Sequence, residues 1–247
     1  MKIIAVIPAR FASTRFPGKP LVDIQGMSMI QRVYMQAKKV AEFSSVIVAT
    51  DDERIFHHVQ AFGGEVVMTS PNHISGTDRI GEVLNRLSDS PDVVVNIQGD
   101  EPFIQPEQLQ LLLSAFHDHT TQIATLVKQI TSPAEIENPN LVKVVFSNHH
   151  KALYFSRSVI PFARNVSSHY YKHIGIYAYR EDVLHQLTQL SPTPLEQAES
   201  LEQLRWMENG FSITVVPTEI ETIGIDTPED LNKISGYPLS LFKHLTF

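Results

Sequence analysis

Three cations cluster near the start of the chain, Arg10, Arg15 and Lys19, in the stretch Pro8-Ala9-Arg10-Phe11-Ala12-Ser13-Thr14-Arg15-Phe16-Pro17-Gly18-Lys19-Pro20-Leu21. Arginine offers a planar donor fork and lysine a compact point charge, a combination suited to an oligophosphate. Ser13 and Thr14 add hydroxyl and amide donors, and Gly18 removes a side chain that would hold the backbone away from an anion. Two carboxylates supply the complementary chemistry. Asp100 follows an apolar run in Asn96-Ile97-Gln98-Gly99-Asp100-Glu101-Pro102, and Asp226 stands in Gly224-Ile225-Asp226-Thr227-Pro228. Magnesium takes one or two protein carboxylates and completes its shell with phosphate and water, so this pair suits a metal–nucleotide site. Each residue also has a structural reading: a solvated basic loop for the cations, a turn for Asp100 and a helix cap for Asp226.

Such residues need a scaffold that gathers them. Ile3 to Ile7 is a continuous apolar run ending at Pro8, the pattern of a strand covered on both faces in a parallel sheet. Ser45 to Ala49, Glu65 to Met68 and Val93 to Ile97 read as further strands. Helical stripes separate them: Ile30, Val33, Tyr34, Ala37 and Val40 behind a Ser28 cap; Ile55, Phe56, Val59 and Phe62 behind Asp51, Asp52 and Glu53; Ile80, Val83, Leu84 and Leu87 behind a cap at Thr77 or Asp78. The alternation predicts an α/β fold, three-layer, with a mostly parallel central sheet, and ligands of such sheets bind outside the carboxyl ends of the strands. Arg10, Thr50 and Asp100 fall on that edge. Their convergence from separate stretches favours a ligand site over a basic surface loop. Arg79, in the first turn of the third helix, opposes the helix dipole and needs an anion, for which a bound phosphate and Glu82 fit equally well.

Pro106 to Phe116 reads as a helix and Ile123 to Val127 as a strand; beyond Lys128 the alternation fades. Leu141 to Ser147 and Ala152 to Phe155 form an expected hairpin, and Tyr170 to Tyr179 is a long β-rich run. Residues 128–180 are therefore expected to be a strand-rich insertion in a single domain, 1–247. Arg180 to Leu190 reads as helical. Pro194 opens an expected single helix in which Leu195, Ala198, Leu201 and Leu204 recur every three residues. Ile213 to Pro217 follows as a strand, and a last helix starts at Pro228. The apolar tail, 237–247, is expected to pack on the body or on a second subunit.

A formal charge of -7 over 247 residues argues against a general nucleic-acid binder, which needs a basic face. The chain has no cysteine, which excludes thiolate nucleophiles and cysteine-ligated zinc. Neither a signal segment nor a run of roughly 18 apolar residues is present, so a cytoplasmic protein without membrane insertion is expected. The pairs His57-His58 and His149-His150, and His117 with His119, have no acid at metal-ligand spacing. There is no G-x-S-x-G elbow, no G-x-x-x-x-G-K-[ST] loop and no G-x-G-x-x-G fingerprint. Asn165-Val166-Ser167 matches a glycosylation acceptor, without a secretory signal to give it meaning.

Five motifs in order carry a resemblance: Pro8-Ala9-Arg10 with Ser13-Thr14-Arg15 and Pro17-Gly18-Lys19-Pro20-Leu21; Gly76-Thr77-Asp78-Arg79; Asn96-Ile97-Gln98-Gly99-Asp100-Glu101-Pro102; Ser156-Arg157; and Leu201-Glu202-Gln203-Leu204-Arg205. Together they resemble the 3-deoxy-manno-octulosonate (Kdo) cytidylyltransferases, the CMP-Kdo synthetases. The related sialic-acid enzymes have a first loop richer in glycine. The resemblance implies transfer of CMP from CTP to the anomeric hydroxyl of Kdo with release of pyrophosphate, magnesium as cofactor, a cytosolic location, a role in lipopolysaccharide synthesis, and a homodimer joined through the strand-rich insertion. It implies that Arg10, Ser13, Arg15 and Lys19 hold the triphosphate, Arg79 and Gln98 the nucleotide, and Asp100 and Asp226 the metal. On the sugar side it points to Arg157, His173, Glu202 and Gln203. Arg10, Lys19, Asp100 and Asp226 are the catalytic set in the expected in-line displacement at the α-phosphorus. The tail departs from the family pattern. Three other readings stand beside this one: a cytidylyltransferase for a related ulosonic acid such as 8-amino-Kdo or sialic acid, a glycosyltransferase, which commonly uses an Asp-x-Asp absent here, and a non-catalytic nucleotide-binding module.

Overall fold

The computed structural model describes residues 1–12, 16–165, 169–221, 224, 225 and 227–235. Ser13, Thr14, Arg15, Asp226 and the tail at 237–247 lie outside the described residues. The chain divides into two compact units, one of residues 1–91, 95–106 and 222–247, the other of residues 92–94 and 107–221.

In the first unit, β1 (Ile3–Ala9) is followed by the short hairpin β2 (Asp23–Ile24) and β3 (Met27–Ser28), then α1 (Met29–Ala37), β4 (Phe43–Thr50), α2 (Glu53–Ala61), β5 (Glu65–Met68), α3 (Gly76–Leu84) and β6 (Val93–Asn96). The strands run β6-β1-β4-β5, with β1 and β5 both parallel to β4, so that Ala9, Thr50 and Met68 lie side by side at the carboxyl edge. Every residue from Ile3 to Ile7 is buried, as a strand covered on both faces requires. Ser28 caps α1 by accepting from the Gln31 N–H at 3.2 Å, and Ile30, Val33, Tyr34, Ala37 and Val40 are buried. Asp52 caps α2 by accepting from the Arg54 N–H at 2.9 Å. Ile55 and Val59 are buried on that helix, whereas Phe56 and Phe62 are half-buried.

The cap of α3 is Ser75, not Thr77 or Asp78. Ser75 Oγ accepts from the Asp78 N–H at 3.1 Å, and the Asp78 carboxylate accepts from the Ser75 N–H at 3.3 Å, a reciprocal box that leaves Thr77 inside the first turn. The last helix, Pro228–Ser235, is capped in the same manner by Thr227. Its hydroxyl accepts from the Asp230 N–H at 3.3 Å, and the Asp230 carboxylate accepts from the Thr227 N–H at 3.1 Å.

The second unit carries α4 (Pro106–Ser114, starting at the boundary), β7 (Ile123–Ile130), α5 (Pro133–Glu137), β8 (Lys143–Phe146), β9 (Ala152–Ser156), β10 (Tyr170–Arg180), α6 (Glu181–Leu187), α7 (Pro194–Glu199), α8 (Glu202–Glu208) and β11 (Ile213–Pro217). β7 pairs in parallel with β11 and antiparallel with β10; β8 pairs antiparallel with β9, as the expected hairpin, and with β10. The fold is thus α/β with a mostly parallel central sheet. The single helix expected from Pro194 to Leu204 is two helices. Ser200, at φ 52° in the left-handed region, ends α7. A repeat of three drifts round a helix of 3.6 residues per turn, so the four apolar positions cannot share one straight face. Leu195, at 40% exposure, and Ala198 are exposed, whereas Leu201 and Leu204 are buried. No described helix is long and apolar enough to cross a membrane.

Candidate active site

A cleft of about 230 Å³ opens at the carboxyl edge of the first unit. Its walls are Pro8 to Arg10 at the end of β1, Ser75, Gly76 and Arg79 at the start of α3, and Gln98 to Asp100 after β6, with Lys19 and Pro20. Five expected nucleotide-side residues, Arg10, Lys19, Arg79, Gln98 and Asp100, therefore line one cavity. Arg10 is exposed at the rim. Lys19 Nζ lies 2.7 Å from Asp100 Oδ2, so the first cation and the first carboxylate neutralise one another. Gly99 makes that meeting possible. A Cβ on it would stand 2.9 Å from the Pro8 carbonyl oxygen, so the exit of β6 runs directly against that of β1. Gly18 has a φ of 73°, and a Cβ there would meet Phe11 Cζ at 3.0 Å, so the turn into Lys19 and the Phe11 ring both require glycine.

Arg79 has a protein anion. Only 4% exposed, it donates from Nη2 to Asp51 Oδ2 at 3.1 Å and from Nη1 to Thr69 Oγ1 at 2.5 Å. The acidic neighbour is Asp51 and not Glu82, which is engaged by the Ser70 N–H at 2.8 Å, by His73 Nε2 at 2.5 Å and by Arg86. Burial works against the Glu82 carboxylate, but these donors leave its pKa below the usual value. Asp51 was findable in principle: it follows Thr50 at the carboxyl edge, where Arg10 and Asp100 also lie.

The residues flanking position 226 are fixed. The Ile225 N–H donates to the Asp100 carbonyl at 3.0 Å, and the Ile225 side chain is fully buried against Ile24, Met29 and Phe103. Thr227 caps the helix that follows. Among the described residues no three or more His, Asp or Glu side chains converge. Magnesium needs fewer, one or two carboxylates with phosphate and water, and Asp100 brings one hard oxygen donor into the cleft beside the anchor of segment 224–227.

The expected sugar-side residues belong to the second unit. His173 on β10 is half-buried as a residue, its ring packed inward; that burial lowers its pKa to about 3, and its Nε2 lies 3.0 Å from Thr125 Oγ1. Its ring centroid is 5.1 Å from that of Phe155 and 5.2 Å from that of Tyr177. Burial pushes the Tyr177 phenol well above its ordinary pKa, and the nearby charges of Tyr179 and Glu202 add to this. The Tyr177 hydroxyl and the Gln203 side-chain amide nitrogen are buried without a partner among the described residues. Arg157, just after β9, is engaged by Glu199: its N–H donates to Glu199 Oε2 at 2.9 Å and its Nε to the Glu199 carbonyl at 2.8 Å. Tyr177 and Glu199 escaped sequence reading, one resembling an ordinary core aromatic and the other a helix surface residue.

Residues 4–220 match the cytidylyltransferase family. The chain belongs to the cytidylyltransferase family. Within this family it is 58% identical over 248 residues to the 3-deoxy-manno-octulosonate cytidylyltransferase of Parabacteroides distasonis, covering 96% of this chain and 98% of that protein. The protein of the same description from Bacteroides thetaiotaomicron is 56% identical over 241 residues, covering 94% and 96%. A solved CMP:2-keto-3-deoxy-manno-octonic acid synthetase complexed with CTP superposes with a TM-score of 0.92 at 47% identity, covering 100% of both chains. In this cytidylyltransferase the cleft at the carboxyl edge of the first unit is built from strand exits and the start of α3.

Proposed function

We propose that the protein transfers CMP from CTP to the anomeric hydroxyl of Kdo, forming CMP-Kdo and pyrophosphate. The observation that carries this reading is the full-length likeness to a synthetase seen with CTP, in a chain whose own cleft sets Lys19, Arg10 and Asp100 at one strand edge. The sugar hydroxyl oxygen attacks the α-phosphorus, the bond from that phosphorus to the bridging oxygen breaks, pyrophosphate leaves with that electron pair, and the hydroxyl proton passes to solvent. Arg10, Ser13, Arg15 and Lys19 hold the triphosphate and offset the charge growing on the leaving group. Arg79 and Gln98 form the nucleotide wall, Arg79 kept rigid by Asp51 and Thr69. Asp100 and Asp226 are the residues that would hold magnesium, which when bound neutralises phosphate charge and polarises the phosphoryl group. Lys19 and Asp100 part when the nucleotide enters, each gaining a new partner. Arg157 meets the sugar carboxylate with its fork. His173, neutral, contributes through hydrogen bonding and not charge, and Glu202 and Gln203 bond sugar hydroxyls.

The same reading places the protein in the cytoplasm, supplying lipopolysaccharide synthesis. It also makes the protein a homodimer, supported by the exposed apolar residues Leu153 and Phe162 in and beside the hairpin region. Pyrophosphate release measured with CTP, magnesium and Kdo, then with each other nucleotide and with 8-amino-Kdo and sialic acid, tests it. Turnover with CTP and Kdo above all other pairs is expected; preference for another sugar acid, or nucleotide binding without turnover, would overturn it.

A further inference from the structure

The chain around Arg157 is tied down more tightly than an arginine at a strand end requires. Its N–H and Nε both reach Glu199, the first at a carboxylate oxygen and the second at the carbonyl. Nη1 donates to the Pro139 carbonyl at 3.2 Å. The other Glu199 oxygen accepts from the Ser156 hydroxyl at 2.6 Å, and that hydroxyl accepts from the Ser158 N–H at 3.0 Å. From below, Lys143 donates to the Arg157 carbonyl at 2.6 Å. Lys143 is completely buried, and its other two protons go to the carbonyls of Asn138 at 2.9 Å and Leu141 at 2.7 Å. An ammonium has three donors, so these bonds satisfy it fully without a carboxylate in contact. Burial and the like charge of Arg157 lower the Lys143 pKa, with Glu199 opposing them. Burying an ammonium is costly, and here it serves to join the 138–141 loop to Arg157. The left-handed turn at Ser200 completes the arrangement, because it ends α7 where the Glu199 carbonyl and carboxylate both face Arg157. Among the described residues Arg157 Nη2 takes part in none of these bonds.

We infer that Glu199 is a positioning residue that, with Lys143 beneath and Ser156 beside it, fixes the Arg157 guanidinium for a sugar carboxylate. This rests on the proposed role of Arg157. A guanidinium pinned at Nε and Nη1 loses little further rotamer freedom on binding, which is how pre-organisation raises affinity.

The test is steady-state kinetics on the full chain for Glu199→Gln, Ser156→Ala, Arg157→Ala and the double variant Glu199→Gln/Arg157→Ala, each with a melting temperature. Glu199→Gln turns one acceptor oxygen into a donor, and loss of a charge-assisted bond is expected to raise the KM for Kdo roughly ten-fold with the KM for CTP within about two-fold. Ser156→Ala should raise the KM for Kdo by roughly three-fold. In the Arg157→Ala background the Glu199 change should add nothing, because its effect passes through Arg157. If Arg157→Ala raises the KM for Kdo while Glu199→Gln does not, the inference falls and the reading of Arg157 stands. A full additional rise in the double variant, or a lowered melting temperature with unchanged kinetics, overturns it too. If Arg157→Ala leaves the KM for Kdo unaltered, both fall.

Discussion

Acid should destabilise this protein through His173, and the size of the effect can be worked from its surroundings. The ring packs against Phe155 and Tyr177, and its Nε2 meets the Thr125 hydroxyl. That hydroxyl also lies 2.8 Å from the Ile176 carbonyl and 3.1 Å from that of Ile174, at the place where the pairing of β10 with β7 shifts register. A hydroxyl has one proton, so if it donates to a carbonyl it can only accept from His173, which assigns the neutral Nε2–H tautomer. Burial lowers the pKa from 6.5 to about 3. Between those values the unfolded chain binds the proton and the folded one does not, so stability is complete above about pH 6.5 and declines as pH falls towards 3. The loss amounts to about 2 kcal/mol at pH 5 and approaches ~5 kcal/mol below pH 3, against a typical total of about 5–15 kcal/mol. Urea denaturation at several pH values between 7.5 and 5, on the wild type and on His173→Gln, measures it. The wild type should lose about 2 kcal/mol more than the variant across that range. Equal pH slopes in the two proteins would refute the assignment of His173 as a buried neutral group.

Lys19→Ala should raise the KM for CTP roughly ten-fold or more, the loss expected for a charge-assisted bond, and an unaltered CTP response in initial-rate kinetics would remove Lys19 from the triphosphate site. Arg79→Ala leaves the half-buried Asp51 without this partner, so chemical denaturation should show a loss of about 2 kcal/mol besides any kinetic defect. A change within 0.5 kcal/mol, roughly the scatter of surface substitutions, would mean the pair is not structural. Gly99→Ala places a Cβ 2.9 Å from the Pro8 carbonyl, so it should lower the melting temperature and raise the KM for CTP together; a silent substitution would show that the two strand exits can separate freely.

The first half of the fold was legible because its strands are continuous β-branched runs and its helices carry one-faced stripes; β1, β4, β5 and β6 stand where Ile3 to Ile7, Ser45 to Ala49, Glu65 to Met68 and Val93 to Ile97 predicted. Caps were less legible. Ser75, Thr77 and Asp78 are all capping types, and only the reciprocal bonds of Ser75 with Asp78 select among them. The apolar repeat from Leu195 to Leu204 misled because the break at Ser200 is made by tertiary bonds from Arg157 to Glu199, which no local pattern encodes. The nucleotide-side residues could be gathered from sequence because strand exits of a parallel sheet share one edge. The partner of Arg79, Asp51, was open to the same argument but competed with the nearer Glu82 on the same helix. Tyr177 was invisible because only its burial shows that its hydroxyl has no partner among the described residues.

The central claim is that the cleft at Lys19 and Asp100 transfers CMP from CTP to Kdo. Its most direct test is pyrophosphate release with CTP, Kdo and saturating magnesium, run on the wild type beside Asp100→Asn. Steady, Kdo-dependent release by the wild type is expected, with a loss of at least about a hundred-fold in the variant, as when a principal electrostatic contributor is removed. Release independent of Kdo, or an Asp100→Asn enzyme within a few-fold of wild type, would contradict it.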